Sequence, residues 1–459
     1  MKGYEKKIKE YLENHRDEMA NELCELVRIP SIAGTEGARA MLERVCEKFA
    51  KEGASVEKYD TYALATYGSG EHKIGLFSHA DVVLEGKDWT MCEPFEGKII
   101  DGSVFGRGAS DDKCAIVISL WILRAIRELK INLKSSLVFF IGANEETTMS
   151  DIFDYKKTHT PPDISMVLDS GFPVHLGDKG ILWLECQKKT RLRDLICLKG
   201  GEAVNIILKE AEATVRYSDA LYGELSRHGE LEISREDGTV KIKAQGISAH
   251  GANPKGTVNA GAIILGALLD CEYFSEGDKR ELSLLYSLLS TYDGRPLGIE
   301  ATDEVFGETT VTNGIIDISQ DEIKFTLDIR HGRAYKQSLL VSKIASIFEE
   351  QNATVKVLKD GEPKAISADN KYVQVAMQVY REHTGNFDAQ PRISVGGTYS
   401  RYLESSFEVG MTTKWNDFGL PSGHGGAHQA DEHISISGLV EATEVIMKMA
   451  LKMDSELAK

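Results

Sequence analysis

The chain has 459 residues, of which 42% are hydrophobic and 27% are charged, and its formal net charge is −17. This length is enough for two or three domains with a large core, and the composition is that of an ordinary soluble globular protein. The acidic charge argues against a nucleic-acid partner, because phosphates need a basic face, and it gives no reason to expect binding to an anionic membrane.

The N-terminal segment 1–19 is charged throughout and has no apolar stretch of the secretory type. The longest apolar runs, such as 115–123, are too short to span a bilayer. The seven cysteines lie far apart and form no CxxC pair, which fits reduced thiols better than a disulfide framework. We therefore expect a cytoplasmic protein.

Apolar positions at mixed spacings of three and four predict a helix at residues 4–28, which Pro30 ends, and a second amphipathic helix at 38–52. Strand-like and helical patterns then alternate, with strands at 73–78, 136–141 and 165–168 and a helix at 115–129. Such alternation predicts an α/β fold, with a mostly parallel sheet covered by helices on both faces.

After Lys179 short strand-like segments predominate, and the helices between them indicate an α+β domain with an antiparallel sheet. Strands are predicted at 231–234, 240–244, 309–312, 322–330 and 354–358, and helices near 256–270, 277–290 and 335–350. A helix at 372–383 then begins a return to the first domain. We predict a metal-binding catalytic domain built from residues 1–178 and 368–459, with residues 179–367 inserted as one domain or as two subdomains.

Acids and an imidazole follow three of the predicted strands. His79 and Asp81 come after the first strand, Glu145 and Glu146 after the second, and Asp169 after the third. In open α/β sheets, ligands bind in the crevice beyond the carboxyl ends of the strands. Oxygen and nitrogen donors of these types bind divalent metals, and a neighbouring carboxylate can act as a general base. The set therefore suggests a dinuclear metal site that carries out hydrolysis.

Two further segments offer ligands of the same kind. The segment GRGASDDKC at 106–114 places Asp111 and Asp112 after a glycine-rich turn, where they could cap a helix or bridge two metals. The segment AHQADE at 427–432 contains His428, but His424 and His433 are close, and spacing alone does not choose among the three. Taken singly, each motif also has an ordinary explanation as a turn, a helix cap or a solvated loop.

Three groups have the character of substrate-handling residues. His250 lies in the turn-rich segment SAHGANP at 248–254, and GGTYSR at 396–401 is another glycine-led polar loop. Arg330 closes a strand-like run, and a guanidinium can grip a substrate carboxylate with two hydrogen bonds. The alternative for each group is plain solvation at the surface.

Taken in order, these five motifs resemble the family of dinuclear metallopeptidases that includes carnosinases, bacterial dipeptidases, glutamate carboxypeptidases, aminoacylases and succinyl-diaminopimelate desuccinylases. The resemblance covers nearly the whole chain. In detail it is most similar to bacterial carnosinase-like dipeptidases, in the segments DSGFPVHLGDKG at 169–180, GGEAVN at 200–205 and GGTY at 396–399. It implies a zinc-exopeptidase-like fold with an inserted ferredoxin-like lid.

Carried over position by position, the resemblance implies that Asp111 bridges two divalent metal ions. His79 and Asp169 would complete one metal site, and Glu146 and His428 would complete the other. The match to AHQADE is what selects His428 from the three candidates. Zinc suits this donor set best, and manganese or cobalt could occupy it.

The resemblance also assigns roles around the metals. Asp81 would hold the ring of His79, Glu145 would be the general base, and the peptide bond between Asp111 and Asp112 would be cis. In the inserted domain, the resemblance implies three substrate-binding residues. Asn205 and His250 would polarise the scissile carbonyl, and Arg330 would grip the substrate carboxylate.

The implied function is metal-dependent hydrolysis of dipeptides. The alternatives are deacylation of N-acyl amino acids or desuccinylation with the same metals and, in another class, a non-catalytic metal- or peptide-binding protein. The long insert favours a monomer over the dimer of relatives with shorter lids. Two positions depart from the family pattern: Cys114 stands where glycine is usual, and Leu208 stands where proline is usual.

Overall fold

The computed structural model describes residues 2–201, 203–412 and 414–459, so Glu202 of the 200–205 motif lies outside the described residues. The chain separates into two compact units. Unit 1 comprises residues 1–177 and 365–459, and unit 2 comprises residues 178–364. Among the described helices, none is both long and apolar enough to cross a membrane.

The α-helices of the described residues are, in chain order, α1 (Lys2–Asn14), α2 (Arg16–Val27), α3 (Glu36–Lys51), α4 (Lys113–Glu128), α5 (Ser150–Thr158), α6 (Asp219–Leu225), α7 (Ala260–Asp270), α8 (Glu276–Ser290), α9 (Gln337–Glu350), α10 (Lys371–Thr384) and α11 (Ile436–Leu457). The predicted helix at 4–28 is thus two helices. His15 interrupts it with a non-helical backbone, and its Nδ1 lies 2.7 Å from the carbonyl oxygen of Tyr11.

The strands are, in chain order, β1 (Ser55–Lys58), β2 (Tyr62–Tyr67), β3 (Lys73–His79), β4 (Lys98–Ile100), β5 (Ser103–Phe105), β6 (Ser136–Gly142), β7 (Ile164–Ser170), β8 (Val174–Asp178), β9 (Gly180–Lys189), β10 (Leu195–Gly200), β11 (Glu210–Arg216), β12 (Leu231–Glu236), β13 (Thr239–Gln245), β14 (Thr302–Asp303), β15 (Gly307–Glu308), β16 (Thr310–Thr312), β17 (Ile316–Ser319), β18 (Glu322–His331), β19 (Ala353–Gly361), β20 (Lys364–Ala365), β21 (Arg392–Ser394), β22 (Ser406–Gly410) and β23 (His433–Ser435).

Unit 1 is built on a mixed sheet with the strand order β1-β2-β6-β3-β7-β22-β8-β20. Its four central strands, β6, β3, β7 and β22, are parallel, whereas β1, β2 and β8 pair antiparallel toward the edges. The parallel arrangement predicted from the sequence therefore describes the centre of the sheet. The edges differ because short antiparallel strands extend it.

Both faces of this sheet are covered, as a parallel sheet requires. Along β6, Leu137 and Phe139 enter the main hydrophobic core, which also contains buried residues of α2, α4 and α11. Val138 and Phe140 point to the opposite face and enter a smaller, aromatic cluster. This alternation follows from the two-residue period of a strand.

The strand pairing brings the candidate ligands to one edge of unit 1. His79 at the end of β3 pairs with Gly142 at the end of β6, so the residues that follow β6 lie beside His79. A separate small sheet pairs β23 with β5, with His433 opposite Phe105. This pairing places the loop before β23 next to the 106–112 turn after β5.

Unit 2 contains one continuous nine-stranded sheet with the order β12-β13-β11-β10-β17-β18-β9-β19, and β16 also pairs with β18. The neighbouring strands run antiparallel. One hydrophobic core joins the sheet to α7, α8 and α9. Along β13, Val240 and Ile242 are buried while Lys241 and Lys243 are exposed, so one face of the sheet meets solvent.

Candidate metal centre

His79 is fully buried at the end of β3. Its Nδ1 lies 3.0 Å from the carbonyl oxygen of Asp81, and because a carbonyl only accepts, Nδ1 carries the hydrogen. Its Nε2 lies 3.0 Å from Oδ1 of Asp111 and 3.9 Å from Oδ2 of Asp169. The imidazole therefore turns Nε2 toward two carboxylates, which is the orientation of a histidine that shares a metal ion with them.

His428 forms the second cluster. Its Nε2 lies 3.1 Å from Oδ2 of Asp111 and 3.0 Å from Oε1 of Glu146. The two competing histidines lie elsewhere: Nδ1 of His424 is 2.7 Å from Oδ2 of Asp431, and the ring of His433 stacks on Phe105. Of the three histidines, the structure brings His428 to the candidate ligands.

Asp111 belongs to both clusters. The ligand atoms of His79, Asp111 and Asp169 all lie within 4.8 Å of one another, and so do those of Asp111, Glu146 and His428. The two carboxylate oxygens of Asp111 face different histidines, Oδ1 toward His79 and Oδ2 toward His428. This is the arrangement of a carboxylate that can bridge two cations.

The electrostatics of the cluster fit divalent cations. Burial, followed by the charges of neighbouring groups that include Asp169 or Asp111, raises the pKa of Asp112, Glu145 and Glu146. Burial raises the pKa of Asp169 in the same way. Several carboxylates are thus crowded in a place where water cannot screen them, and cations would relieve this repulsion. One imidazole nitrogen with two carboxylates in each group is a donor set that zinc, manganese and cobalt accept.

Asp81 organises the residues around the two clusters. Its Oδ1 accepts a hydrogen bond from the backbone N–H of Glu145, and its Oδ2 accepts one from the backbone N–H of Glu146, both at 3.1 Å. Oδ1 also lies 3.5 Å from Nδ1 of His79. Asp81 is buried, and it holds the imidazole through its carbonyl oxygen and the backbone of both glutamates through its carboxylate.

Glu145 lies beside these groups with a buried carboxyl. Its Oε1 has no hydrogen-bond partner among the described residues. Burial raises the pKa of this carboxyl well above its ordinary value. An acceptor that is buried, unpaired and adjacent to candidate metal ligands has the character of a proton carrier.

The 106–114 segment differs from an ordinary helix cap. Asp112 precedes α4, but its side chain makes no capping hydrogen bond, and its Oδ2 accepts instead from the backbone N–H of His79 at 3.1 Å. The peptide bond between Asp111 and Asp112 is cis, as the resemblance implied. Cys114 is fully buried, and its thiol donates to the carbonyl oxygen of Ser110 at 3.2 Å.

Glu432 is a site-forming residue that the sequence analysis did not single out. It is fully buried and pairs with Nη1 of Arg107 at 2.6 Å. The same carboxylate accepts from the backbone N–H groups of Gly108, Ser110 and Asp111 at 2.9–3.1 Å. The backbone of the turn that carries Asp111 is therefore held by hydrogen bonds to the carboxylate of Glu432. The sequence shows Glu432 as part of the AHQADE segment. It does not show the hydrogen-bond partners of Glu432, which lie more than 320 positions away.

The three proposed substrate-binding residues lie in unit 2. The backbone N–H of Ala252 donates to Nδ1 of His250 at 3.2 Å, so Nε2 carries the hydrogen and is a donor. Nδ2 of Asn205 lies 3.2 Å from this Nε2, and because both atoms are donors, the amide must turn its oxygen toward Nε2 to accept a hydrogen bond from it. Arg330 is buried and forms two hydrogen bonds with the carboxylate of Asp328, at 2.7 and 3.1 Å.

The turn after His250 packs near the Arg330–Asp328 pair. A Cβ atom at Gly251 would lie 2.4 Å from Oγ1 of Thr312 and 3.1 Å from Oδ2 of Asp328. Only glycine allows this approach without a shift. The structure therefore brings Asn205, His250 and the pair with Arg330 into one part of unit 2.

Comparison with known proteins agrees with this description. Residues 75–452 match the model of peptidase family M20/M25/M40. The chain is 26% identical over 427 residues to the protein named "Putative dipeptidase YtjP" of Bacillus subtilis (strain 168), covering 89% of each chain. Its fold is similar to human carnosine dipeptidase 1, with a TM-score of 0.61 and 16% identity over 98% of this chain and 99% of that chain.

The fold is also similar to the di-peptidase Dug1p of Saccharomyces cerevisiae, with a TM-score of 0.60 and 14% identity over 99% of each chain. At these identities, the solved structures establish the fold. The family match spans well over half of the chain. The protein therefore belongs to peptidase family M20/M25/M40 and is a hydrolase of the metallopeptidase class.

Proposed function

We propose that the protein hydrolyses dipeptides with two divalent metal ions and Glu145 as the general base. The observation that carries the proposal is the position of Asp111, whose two oxygens belong to two separate groups of potential ligands. A protein that merely stored one ion would need only one such group. The buried and unpaired Oε1 of Glu145 adds a proton acceptor beside them.

In this proposal, His79 and Asp169 complete one metal site with Asp111, and Glu146 and His428 complete the other. When bound, two such ions would supply Lewis acidity and lower the pKa of a water molecule to near neutrality. Zinc is the metal that we propose first, because histidine nitrogen and carboxylate oxygen are its usual donors. Manganese and cobalt fit the same donors.

Glu145 moves the proton. Its carboxylate takes a proton from the attacking water as the oxygen of that water bonds to the scissile carbonyl carbon. It then gives the proton to the amine nitrogen as the carbon–nitrogen bond breaks, so that Glu145 returns to its starting state. The hydrogen bond from the Glu145 backbone N–H to Asp81 supports this role, because it holds the residue at the edge of the cluster.

The three residues of unit 2 are proposed to bind the substrate. His250 donates from Nε2 to the carbonyl oxygen and stabilises its developing negative charge, together with Asn205. A donor of this kind contributes about 2.7–4 kcal/mol in other acyl-transfer enzymes. Arg330 would bind the terminal carboxylate of the substrate, with its guanidinium held in place by Asp328. We propose that the protein acts as a monomer in the cytoplasm.

A substrate panel tests the proposal. The purified protein is treated with chelator, reloaded with zinc, manganese or cobalt, and assayed with dipeptides, tripeptides, N-acetyl amino acids and N-succinyl amino acids. We expect dipeptides to be hydrolysed fastest. If only the N-acetyl or N-succinyl amino acids were hydrolysed, the protein would be a deacylase or a desuccinylase and not a dipeptidase. Binding of peptides without any turnover would indicate a non-catalytic protein.

The variant Glu145→Gln separates catalysis from metal binding. The amide keeps the size of the side chain but cannot carry the proton, so we expect turnover to disappear while the metal content stays at the wild-type level. Metal content is measured by elemental analysis. Near-normal activity in this variant would remove Glu145 from the mechanism.

A further inference from the structure

Tyr399 makes a short hydrogen bond to a buried acid behind the candidate metal centre. It begins the short 3₁₀ helix Tyr399–Tyr402, in the glycine-led 396–401 loop. Its hydroxyl donates to Oδ2 of Asp151 at 2.6 Å. Both side chains are almost completely buried. A hydroxyl–carboxylate bond of this length is charge-assisted and is among the stronger hydrogen bonds in proteins.

The same oxygen of Asp151 holds the turn that leads to Glu145. Oδ2 accepts from the backbone N–H groups of Ala143 and Asn144, both at 2.9 Å. These two residues connect the end of β6 to Glu145. One carboxylate oxygen therefore joins Tyr399, from the C-terminal part of unit 1, to the backbone directly before the proposed base.

Gly142 leaves the space that this bond occupies. A Cβ atom at position 142 would lie 1.8 Å from Oη of Tyr399 and 2.3 Å from Oδ2 of Asp151, so any other residue would displace the pair. The ring of Tyr399 packs edge-on against Phe140, with the ring centroids 5.3 Å apart. The ring contact with Phe140 and the hydrogen bond to Asp151 therefore fix the position of the Tyr399 hydroxyl.

We propose that Tyr399 is a positioning residue for Glu145, acting through Asp151 and the backbone of residues 143 and 144. The inference rests on the proposed role of Glu145 as the base. Without the hydroxyl, Asp151 loses its partner from the C-terminal segment, and the turn that carries Glu145 is less firmly held. Small misplacements of a reacting group lower the rate by large factors, whereas substrate binding need not change.

The test compares Tyr399→Phe with Tyr155→Phe. Tyr155 is buried in the same aromatic cluster, with its ring 5.2 Å from Phe140, but its hydroxyl does not bond to Asp151. Each zinc-loaded protein is assayed for kcat, KM and metal content. The exchange rates of the amide hydrogens of Ala143 and Asn144 are measured by hydrogen–deuterium exchange.

We expect Tyr399→Phe to lower kcat by about 10- to 100-fold with KM and metal content unchanged. We also expect faster amide exchange at residues 143 and 144, and wild-type behaviour in Tyr155→Phe. Wild-type kcat and exchange in Tyr399→Phe would overturn the inference, and so would an equal loss of kcat in both variants. If the wild-type protein hydrolysed no peptide, the proposed function would fail, while unchanged exchange in Tyr399→Phe would separately refute the positioning role.

Discussion

The carboxylate of Glu432 accepts a hydrogen bond from the backbone N–H of Asp111 at 3.0 Å. It thereby connects the C-terminal segment of unit 1 to the residue that is common to both groups of candidate ligands. The pairing of β23 with β5 brings these two segments together. The position of Asp111 thus depends on a residue that lies outside both groups of candidate ligands.

Replacing Glu432 by glutamine should weaken metal binding. The amide loses the charge that pairs with Arg107 and presents a donor where the carboxylate now accepts. Changes to residues that orient ligands typically lower metal affinity by about 10- to 100-fold, and we expect a loss of this size. Competition with a chromophoric chelator measures it. The exposed Glu404→Gln variant serves as a control, and wild-type affinity in Glu432→Gln would show that the turn holds Asp111 without this acid.

The histidines near the C-terminus should differ in their effect on metal stoichiometry. We expect His428→Ala to bind one metal per chain in place of two, because His428 is the only nitrogen donor of its group. His424→Ala should retain both metals, since His424 pairs with Asp431 and lies outside the two groups. Elemental analysis after gel filtration measures the number of metal ions bound per chain in each variant. Two metals in His428→Ala, or one in His424→Ala, would contradict the assignment.

Asp81→Asn should destabilise the metal-free protein as well as slow catalysis. The asparagine side chain has a single oxygen, so one of the backbone N–H groups of Glu145 and Glu146 would lose its acceptor. A buried donor without a partner costs about 1–3 kcal/mol, and we expect a decrease of this size in the free energy of unfolding. Urea denaturation measures it against the exposed Asp60→Asn control. Equal stability of the two variants would refute the bridging role of Asp81.

Removal of the metals should lower the thermal stability of the wild-type protein. Ions that bind only the folded state stabilise it, by about 2.7 kcal/mol at a concentration one hundred times the Kd. The crowded carboxylates also repel one another when the cations are absent. We expect chelation to lower the Tm of the wild type and to change that of Asp111→Asn much less. Differential scanning calorimetry provides both values, and equal shifts would place the stabilising metal elsewhere.

The sequence predicted the placement of those candidate ligands that depend on single strands. His79, Glu145 and Asp169 each follow an apolar run, and the parallel pairing of β3 with its neighbours brings the ends of these runs to one edge. The choice of His428 needed the resemblance to a family, because three histidines lie within ten positions of one another. Local patterning contains no information that would separate them.

The supporting contacts were not predictable in this way. The pairs Arg107–Glu432 and Asp151–Tyr399 join segments 325 and 248 positions apart. Such pairs are set by how the two parts of unit 1 pack, and neither periodicity nor spacing reports on that. The break at His15 was missed for a related reason, since the apolar positions of α1 and α2 continue the same pattern across it.

The central claim is that Asp111 bridges two metal ions. Anomalous diffraction from crystals of the zinc-loaded protein, measured on both sides of the zinc absorption edge, tests this most directly. We predict two peaks about 3.5–4 Å apart, each in contact with a different oxygen of Asp111. We expect one peak to contact His79 and Asp169, and the other to contact Glu146 and His428. A single peak, or two peaks of which only one contacts Asp111, would contradict the account.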